Sequence, residues 1–433
     1  MPPQPLLDEL AWRGMLHQHT DGVGELLSGP PVSAYAGFDP TAPSLHVGNL
    51  VPVMGLVHLQ RFGHRPIALV GGGTGLIGDP SGRTTERRLN TVETIEANSK
   101  AIRAQLERFL DFSGPGAARM RNNADWLLPL RAIDFMRDVG KHFTINYMMA
   151  KESVKARLDS GISYTEFSYM LLQAYDFLEL HRREGVLLQV GGSDQWGNIT
   201  AGIELVRRVT GGEAQAITFP LFTTATGAKF GKTEAGAVWL DPSLTSPYRF
   251  YQFWINTDDR DAGKSLRYFT LLPRADIEEL DRATAGRPER REAQQRLAGE
   301  MTARVHGVAS ARVAAEVSGV LFGGTDPSKL TFEALVALRA EIPFVEVAAP
   351  VEGSQPGVTG AGEWDVLDLL VVSKLVASKG AGRRLLEQGG VYLNGRRLTP
   401  DHRHVGTEAL LPGGHLLLRR GAKDYALVQL GTS

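Results

Sequence analysis

Through the first half of the chain, short apolar runs alternate with stretches whose apolar positions recur every three or four residues. That alternation predicts a layered α/β domain with a mostly parallel sheet, of the Rossmann-like nucleotide-binding kind. Val32 to Phe38 predicts a strand, and Val47, Leu50, Met54 and Val57, at steps of 3, 4 and 3, predict a buried helix after it. Pro66 to Val70 predicts a second strand, leading into Gly71-Gly72-Gly73-Thr74-Gly75. Helices are expected over Leu89 to Phe112, Tyr164 to Leu180 and Gln195 to Arg208. Further strands are expected at Val186 to Val190 and Ala216 to Phe222, the last running into a loop rich in Gly, Thr and Lys.

Past Ser246 the strand signals fade. Glu, Arg, Ala and Leu at helical spacing predict a small helical domain over residues 246–347. Residues 348–363 hold Pro350, Gly353, Pro356, Gly357, Gly360 and Gly362 with little to bury, which predicts a linker. Residues 364–433 form a third, α+β domain. Its expected parts are helices at Trp364 to Ala377 and Gly380 to Gln388, then a hairpin over Val391 to Leu398 turning at Asn394-Gly395, a pair suited to a type I′ turn. The first domain is then residues 1–245.

Composition narrows the class. A chain of 433 residues exceeds one ordinary core, in keeping with several domains. Cysteine is absent, so disulfides, thiolate metal sites and a cysteine nucleophile are excluded, which suits a reducing, cytoplasmic compartment. Met1 to Thr20 lacks a basic stretch followed by an apolar core, so no secretory signal is expected, and no apolar run suggests a membrane span. Net charge is −1, but it is unevenly spread. Trp364 to Ser433 carries 10 Lys and Arg against 6 Asp and Glu, while the rest carries 37 against 42. A basic tail on an acidic body points to a polyanion-binding appendage, with a solvated surface as the plainer alternative.

Two segments carry chemistry. In Leu45-His46-Val47-Gly48-Asn49 a helix opens with His, Gly and Asn, placing donors and orphan backbone N–H groups where an anion can dock. Gly48 leaves room for a flat base against the backbone, although His46 can also serve simply as a helix cap. Lys229-Phe230-Gly231-Lys232-Thr233 sets two lysines three apart in a loop able to fold over a polyphosphate.

This pair resembles the signatures of class I aminoacyl-tRNA synthetases, usually His-Ile-Gly-His and Lys-Met-Ser-Lys-Ser, with departures at Asn49, Phe230, Gly231 and Thr233. Further stretches resemble the bacterial tyrosine-specific members of that class: Tyr35 to Thr41, Gly75 to Gly82, Tyr169 to Asp176, and Gly191-Gly192-Ser193-Asp194-Gln195-Trp196-Gly197-Asn198. The resemblance runs from about residue 30 to 270 and again from 364 to 431, the middle being matched by position more than by motif.

The resemblance implies an enzyme that activates L-tyrosine with ATP and Mg2+ and passes it to tRNA. It places Tyr35 and Asp176 on the phenol of tyrosine and Asp79, Tyr169 and Gln173 on its ammonium, with Gln195 beside the aminoacyl group. Gly37, Asp39, His46, Gly48, Asn49, Gly192, Asp194 and Lys232 would surround ATP; an Asp after a Gly-Gly-Ser turn suits a ribose diol. Thr41 and His46 would meet the γ-phosphate side. Lys229, Lys232 and Thr233, with Arg83 and Arg87 opposite, would hold the leaving pyrophosphate. The family usually has Lys where Arg83 stands; Arg keeps the positive charge but carries it on a planar fork. No carboxylate cluster identifies a protein ligand for Mg2+.

The last domain resembles a small RNA-binding module shared with a ribosomal small-subunit protein. Lys374, Lys379, Arg383, Arg384, Arg396 and Arg397 would lie there on two helices and a hairpin and contact phosphates. The helical domain would meet the anticodon arm, and the enzyme would be a homodimer. For single residues plainer roles stand alongside: Tyr169 and Gln173 share a face on any helix, and Asp194 is an ordinary turn former. Two other functions share the pattern, a tryptophan-specific sibling and an RNA-binding relative without chemistry. Tyr35 with Asp176 argues against the first, since indole has no phenolic hydroxyl. The intact His46, Lys229 and Lys232 argue against the second.

Overall fold

A computed structural model describes residues 5–81, 89–155, 157, 161–227, 230–233, 236–322, 324–347 and 363–431, with the backbone alone at 153, 232 and 233. Arg83, Arg87, Lys229 and nearly all of the expected linker lie outside the described residues, as do the side chains of Lys232 and Thr233. The chain folds as two compact units, residues 1–246 with 253–297, and residues 247–252 with 298–433.

Among the described residues of the first unit, six strands form one sheet: β1 (Gln18–His19), β2 (Ser33–Phe38), β3 (Arg65–Val70), β4 (Arg119–Asn122), β5 (Val186–Gly192) and β6 (Gln215–Phe219). Their order is β1-β6-β5-β2-β3-β4; all neighbours run parallel except β1 against β6. The chain winds outward from β2 through β3 to β4, then returns to lay β5 on the other side of β2. The order reverses between β2 and β5, and a doubly wound sheet opens its ligand crevice at the carboxyl ends of such strands. Every loop quoted above for its chemistry leaves one of these ends.

The expected elements form with adjusted ends, each for a local reason. The helix expected after β2 is Leu50–Arg61, preceded by one tight turn at Val47–Asn49. Pro52 falls in its first turn, where a missing N–H costs nothing. Gly55 on this helix faces the ring of Phe219, which a Cβ would strike, so helix and sheet approach closely. The helix expected from Leu89 is Val92–Leu106, capped by the Thr91 side chain. Strand β6 ends at Phe219 because Pro220 has no N–H to continue the ladder. The longest helix, Tyr164–Glu184, starts at a Ser163 cap and stops at Gly185 in the left-handed conformation (φ 61°). It buries Tyr169, Asp176, Phe177 and Leu180.

The second unit departs from the expected division. Helices Val308–Phe322 and Phe332–Arg339 pack Val317, Val320, Leu335 and Leu338 against Leu411, Leu417 and Leu427 of the C-terminal sheet. Residues Phe344–Val347, expected as the end of a helical domain, instead form a strand parallel to Asp424–Leu430. The expected helix from Trp364 is confined to Val366–Val372. Trp364–Asp365 pair with His404–Val405, and Lys374 takes a left-handed φ of 59° beyond the helix end. The next helix is Lys379–Glu387. The Asn-Gly hairpin forms as expected, with φ 46° at Asn394 and 83° at Gly395, positive at both central positions as a type I′ turn requires.

Candidate active site

A cleft of about 350 Å³ opens at the carboxyl ends of the strands. Tyr35, Gly37, Asp39 and Thr41 enter it from β2 and the turn beyond, and His46, Gly48 and Asn49 from the turn that starts the following helix. Asp79 approaches from the loop after β3, Tyr169 and Gln173 from the long helix, and Gly192, Asp194 and Gln195 from the end of β5. Residues as far apart as 35 and 195 thus meet because parallel strands present the same end.

At the floor, the Tyr35 side chain is almost wholly buried, its ring edge-on to Phe177 at 5.3 Å. Its hydroxyl finds no hydrogen-bond partner among the described residues. Beside it, Asp176 accepts from Asn123 Nδ2 at 2.9 Å and from Trp126 Nε1 at 2.7 Å. Burial pushes the Asp176 carboxyl up to about 8; the two donors oppose that rise, and the Asp39 and Glu179 carboxylates add to it. Burial, and then the nearby Asp176, likewise raise the Tyr35 hydroxyl well above its ordinary range. Gln189, paired with Tyr35 across β5 and β2, leaves its Oε1 buried and unpartnered among the described residues and also lines the cleft. Buried polar atoms are rarely left unsatisfied, and each costs about 1–3 kcal/mol. Both belong to residues that line the cleft, where a bound polar group can pair with them.

A relay of hydrogen bonds runs from the floor toward the rim. Asn123 Nδ2 also donates to Thr74 Oγ1 (2.9 Å), Thr74 donates to Asp39 Oδ1 (2.7 Å), and the Tyr169 hydroxyl donates to Asp39 Oδ2 (2.8 Å). Burial, followed by the Asp39 and Asp79 charges, raises the Tyr169 hydroxyl well above its usual range, so it stays a donor. Gly71 lies against Asp39 and Thr74 with no room for a Cβ. A second cluster lies alongside. Gln195 Nε2 donates to Asp79 Oδ2 (2.6 Å), Gln173 Nε2 to Gln195 Oε1 (3.2 Å), and Asn198 Nδ2 to Gln173 Oε1 (3.1 Å). Burial and Asp79 raise Asp194, which is close enough to Gly192 that a Cβ there would sit 2.5 Å from Asp194 Oδ1.

At the rim His46 does act as a cap. Its Nδ1 accepts from the Gly48 N–H at 3.0 Å, while Asn49 Oδ1 accepts from the His46 N–H at 3.0 Å. The Asn that departs from the usual signature thus closes a reciprocal capping box. Only the backbone of Lys232–Thr233 is described; it pairs with Gly236–Ala237.

In the second unit Lys374, Lys379, Arg383, Arg384, Arg396 and Arg397 are all exposed. Two are partly engaged: Lys379 pairs with Asp368, and Arg397 donates to the Gly389 and Gln388 carbonyls. Lys374 sits in a turn, not on a helix as expected.

Thr74, Asn123, Trp126, Asn198 and Gln189 are site residues that sequence reasoning did not assign. Thr74 and Asn198 lie inside quoted motifs and could have been found there. Asn123 and Trp126 follow a strand, Arg-Met-Arg-Asn, that carries no hydrophobic pattern.

Comparison with known proteins adds to this geometry. A family described as "tRNA synthetases class I (W and Y)" matches residues 27–323, and one described as "Tyrosine--tRNA ligase SYY-like C-terminal domain" matches residues 352–428. A tyrosine–tRNA ligase of Anaeromyxobacter dehalogenans is 53% identical over 99% of this chain and 100% of its own length. One from Roseiflexus castenholzii is 51% identical over 98% and 99%. Among solved structures, a C-terminally truncated mitochondrial tyrosyl-tRNA synthetase of Aspergillus nidulans superposes with a TM-score of 0.68 at 30% identity, covering 74% of this chain and 95% of that one. With both parts of the chain matched and the pocket residues converging on one cleft, this chain belongs to the tyrosine–tRNA ligase family of class I aminoacyl-tRNA synthetases.

Proposed function

We propose that the cleft performs tyrosine activation through the residues described above, with the phenol seated on the Tyr35 hydroxyl and Asp176. The reaction is that of the family: tyrosine and ATP give tyrosyl-adenylate and pyrophosphate, and tyrosine then passes to tRNA. The unpartnered Tyr35 hydroxyl beside a doubly anchored carboxylate carries the assignment of the phenol. A phenylalanine ring would leave both groups stranded in a buried site, which rejects it without a separate editing step; tyrosine enzymes are the standard illustration of this rule.

The ammonium of tyrosine would lie among Asp79, the Tyr169 oxygen and Gln173 Oε1. Gln195, already bonded to Asp79, would set the aminoacyl end. Asp39 is held by Thr74 and Tyr169 before any substrate arrives. Gly37 and Gly48 both line the cleft without a side chain, so both bring backbone close to the nucleotide. Asp194 would accept from the ribose hydroxyls across Gly192.

One tyrosine carboxylate oxygen then forms a bond to the α-phosphorus as the bond to the bridging oxygen of pyrophosphate breaks, and no protein nucleophile is needed. Charge moves onto the leaving group, so alignment and cations supply the acceleration. Thr41 and His46 would meet the phosphates from one side. Lys229, Lys232 and Thr233, with Arg83 and Arg87, would do so from the other. Magnesium enters with ATP as part of the substrate. A terminal ribose hydroxyl of tRNA attacks the mixed anhydride in the second step.

The exposed Lys374, Arg383, Arg384 and Arg396, with Lys379 and Arg397, suit an RNA backbone, and the helices before them would face the anticodon arm. A homodimer is supported by exposed apolar side chains between residues 128 and 164. Ile133 and Tyr164 are 71% and 72% exposed, and Leu128, Met136, Ile145 and Met149 are exposed as well. Exposed apolar side chains of this kind suit a surface covered by a second copy. The enzyme would work in the cytoplasm; among the described residues no helix is long and apolar enough to cross a membrane.

Tyrosine-dependent pyrophosphate exchange tests the chemistry. Exchange is expected with tyrosine and not with tryptophan. Lys232→Ala should slow it by orders of magnitude while tyrosine affinity holds, because the lysine acts on charge present only during reaction. Equal losses of rate and affinity would assign Lys232 to ordinary binding. In the same preparations, Arg383→Glu with Arg384→Glu should cripple tRNA charging and spare exchange.

Asp176 generates a pH dependence. Its raised pKa means that the folded protein holds a proton the unfolded chain has already lost, between the ordinary carboxylate range and about pH 8. Its contribution to stability is therefore full at low pH and is lost as pH rises through that window. Phenol donation favours the ionised carboxylate, so tyrosine affinity should climb with pH and level off near pH 8, with a proton released on binding below it. Calorimetric titration in buffers of different ionisation heat measures this directly. An affinity independent of pH, without proton release, would contradict the assignment.

For assembly, sedimentation should give the mass of two chains, and Met136→Glu should shift it toward one. A monomeric parent protein would remove the dimer.

A further inference from the structure

Phe230 is the one large apolar side chain between Phe222 and Val238, in a loop otherwise made of Gly, Ala, Thr, Lys and Glu. Its ring does not face solvent. It stacks on Phe269 at 5.1 Å with only 9° between the planes, and meets Phe222 at 4.4 Å, Phe253 at 5.4 Å and Trp254 at 5.7 Å. Phe269 and Trp254 are fully buried, and Phe222 lines the substrate cleft. These rings come from the segment just past β6 and from helices Pro247–Ile255 and Asp259–Phe269, so Phe230 is boxed by residues outside its own loop.

The next residue is fastened as well. Gly231 is buried at φ +81°, and a Cβ there would lie 2.7 Å from Val47 Cγ2 and 3.2 Å from the Gly48 nitrogen. Its carbonyl accepts from the Val238 N–H at 3.0 Å, and the Val238 carbonyl accepts from the Val47 N–H at 3.0 Å. The backbone at residues 230–231 is therefore fixed on one side to an aromatic cluster and on the other to the turn that starts the His46 helix. Lys229 and Lys232 stand immediately before and after this pair in sequence.

We propose that Phe230 is a positioning residue for tyrosine activation: its seat in the aromatic box holds the backbone of residues 230–231, which lie in sequence between the two lysines assigned to the phosphates of ATP. The inference rests on the assignment of those lysines to the leaving group. Aromatic stacking gives a rigid, directional anchor where a loop of small polar residues has none of its own. A transition state that is stabilised by position loses rate steeply when the positioned groups drift by about 1 Å. The ring is not among the side chains that line the cleft, so its effect passes through the flanking cations.

Single-turnover formation of tyrosyl-adenylate, together with the tyrosine dissociation constant, provides the test on the full chain. Phe230→Ala should slow adenylate formation on the order of 10- to 100-fold and leave the dissociation constant of tyrosine essentially unchanged. Phe230→Leu, which keeps apolar volume without the flat stack, should recover part of the rate. It carries the same test if the alanine variant fails to fold. In a chain already carrying Lys229→Ala and Lys232→Ala, Phe230→Ala should cost nothing more, since the groups it positions are gone. An equal loss in both backgrounds, or a rise in the tyrosine dissociation constant matching the loss of rate, would make Phe230 a plain packing residue. A slowed lysine pair with an unaffected Phe230→Ala would overturn this inference alone. Lysine substitutions without effect would overturn the phosphate assignment and the inference with it.

Discussion

Asp176 is buried on the long helix, one turn before the buried Leu180, and is kept there by two donors aimed at its two oxygens. Burying a carboxyl costs several kcal/mol unless it is paired, and here the pairing is neutral: an amide from Asn123 and an indole N–H from Trp126. Those donors do not cancel the cost, which is why the carboxyl is pushed up to about 8. The fold holds this group, and the unpartnered Tyr35 hydroxyl near it, at the floor of a cleft where a phenol can satisfy both. The other contacts of the site serve to hold that floor still. Asn123 reaches Thr74, Thr74 reaches Asp39, and Tyr169 closes the chain, so the residues assigned to tyrosine and those assigned to the nucleotide share one hydrogen-bonded network. Substitutions along such a network should not be additive.

The sheet topology makes the network possible. Because β2 lies between β3 and β5, the ends of three parallel strands deliver Asp39, Thr74 and Asp194 to one crevice from distant parts of the chain. Gly71 and Gly192 let backbone pass where Asp39 and Asp194 occupy the space a side chain would need. At the rim His46 is tied down by Gly48 and Asn49, and Val47 joins that turn through Val238 to Gly231. The two signature segments thus share backbone hydrogen bonding, although about 180 residues separate them.

Where side-chain period and burial agree, the sequence was legible. The parallel strands at Ser33–Phe38, Arg65–Val70 and Val186–Gly192 are nearly continuous apolar runs, as strands covered on both faces must be. The Asn394-Gly395 turn was legible because only a few residue pairs tolerate its backbone. The edges were not. Arg119–Asn122 is half-buried throughout and reads as polar loop, yet its end delivers Asn123 to the floor. Phe344–Val347 is four residues long and owes its conformation to pairing with Asp424–Leu430, some eighty residues away, which no local pattern reveals. Of the candidate site, the motif residues were assigned by likeness. The residues that orient them, Asn123 and Trp126, were missed, since an amide or an indole near a strand end has no spacing of its own.

The most direct test is a crystal structure of the protein with L-tyrosine bound. The phenolic oxygen should lie within hydrogen-bonding distance of both the Tyr35 hydroxyl and the Asp176 carboxylate, with Asn123 and Trp126 still donating to that carboxylate. A tyrosine whose ring oxygen points elsewhere, leaving Tyr35 unpaired, would contradict the account at its base.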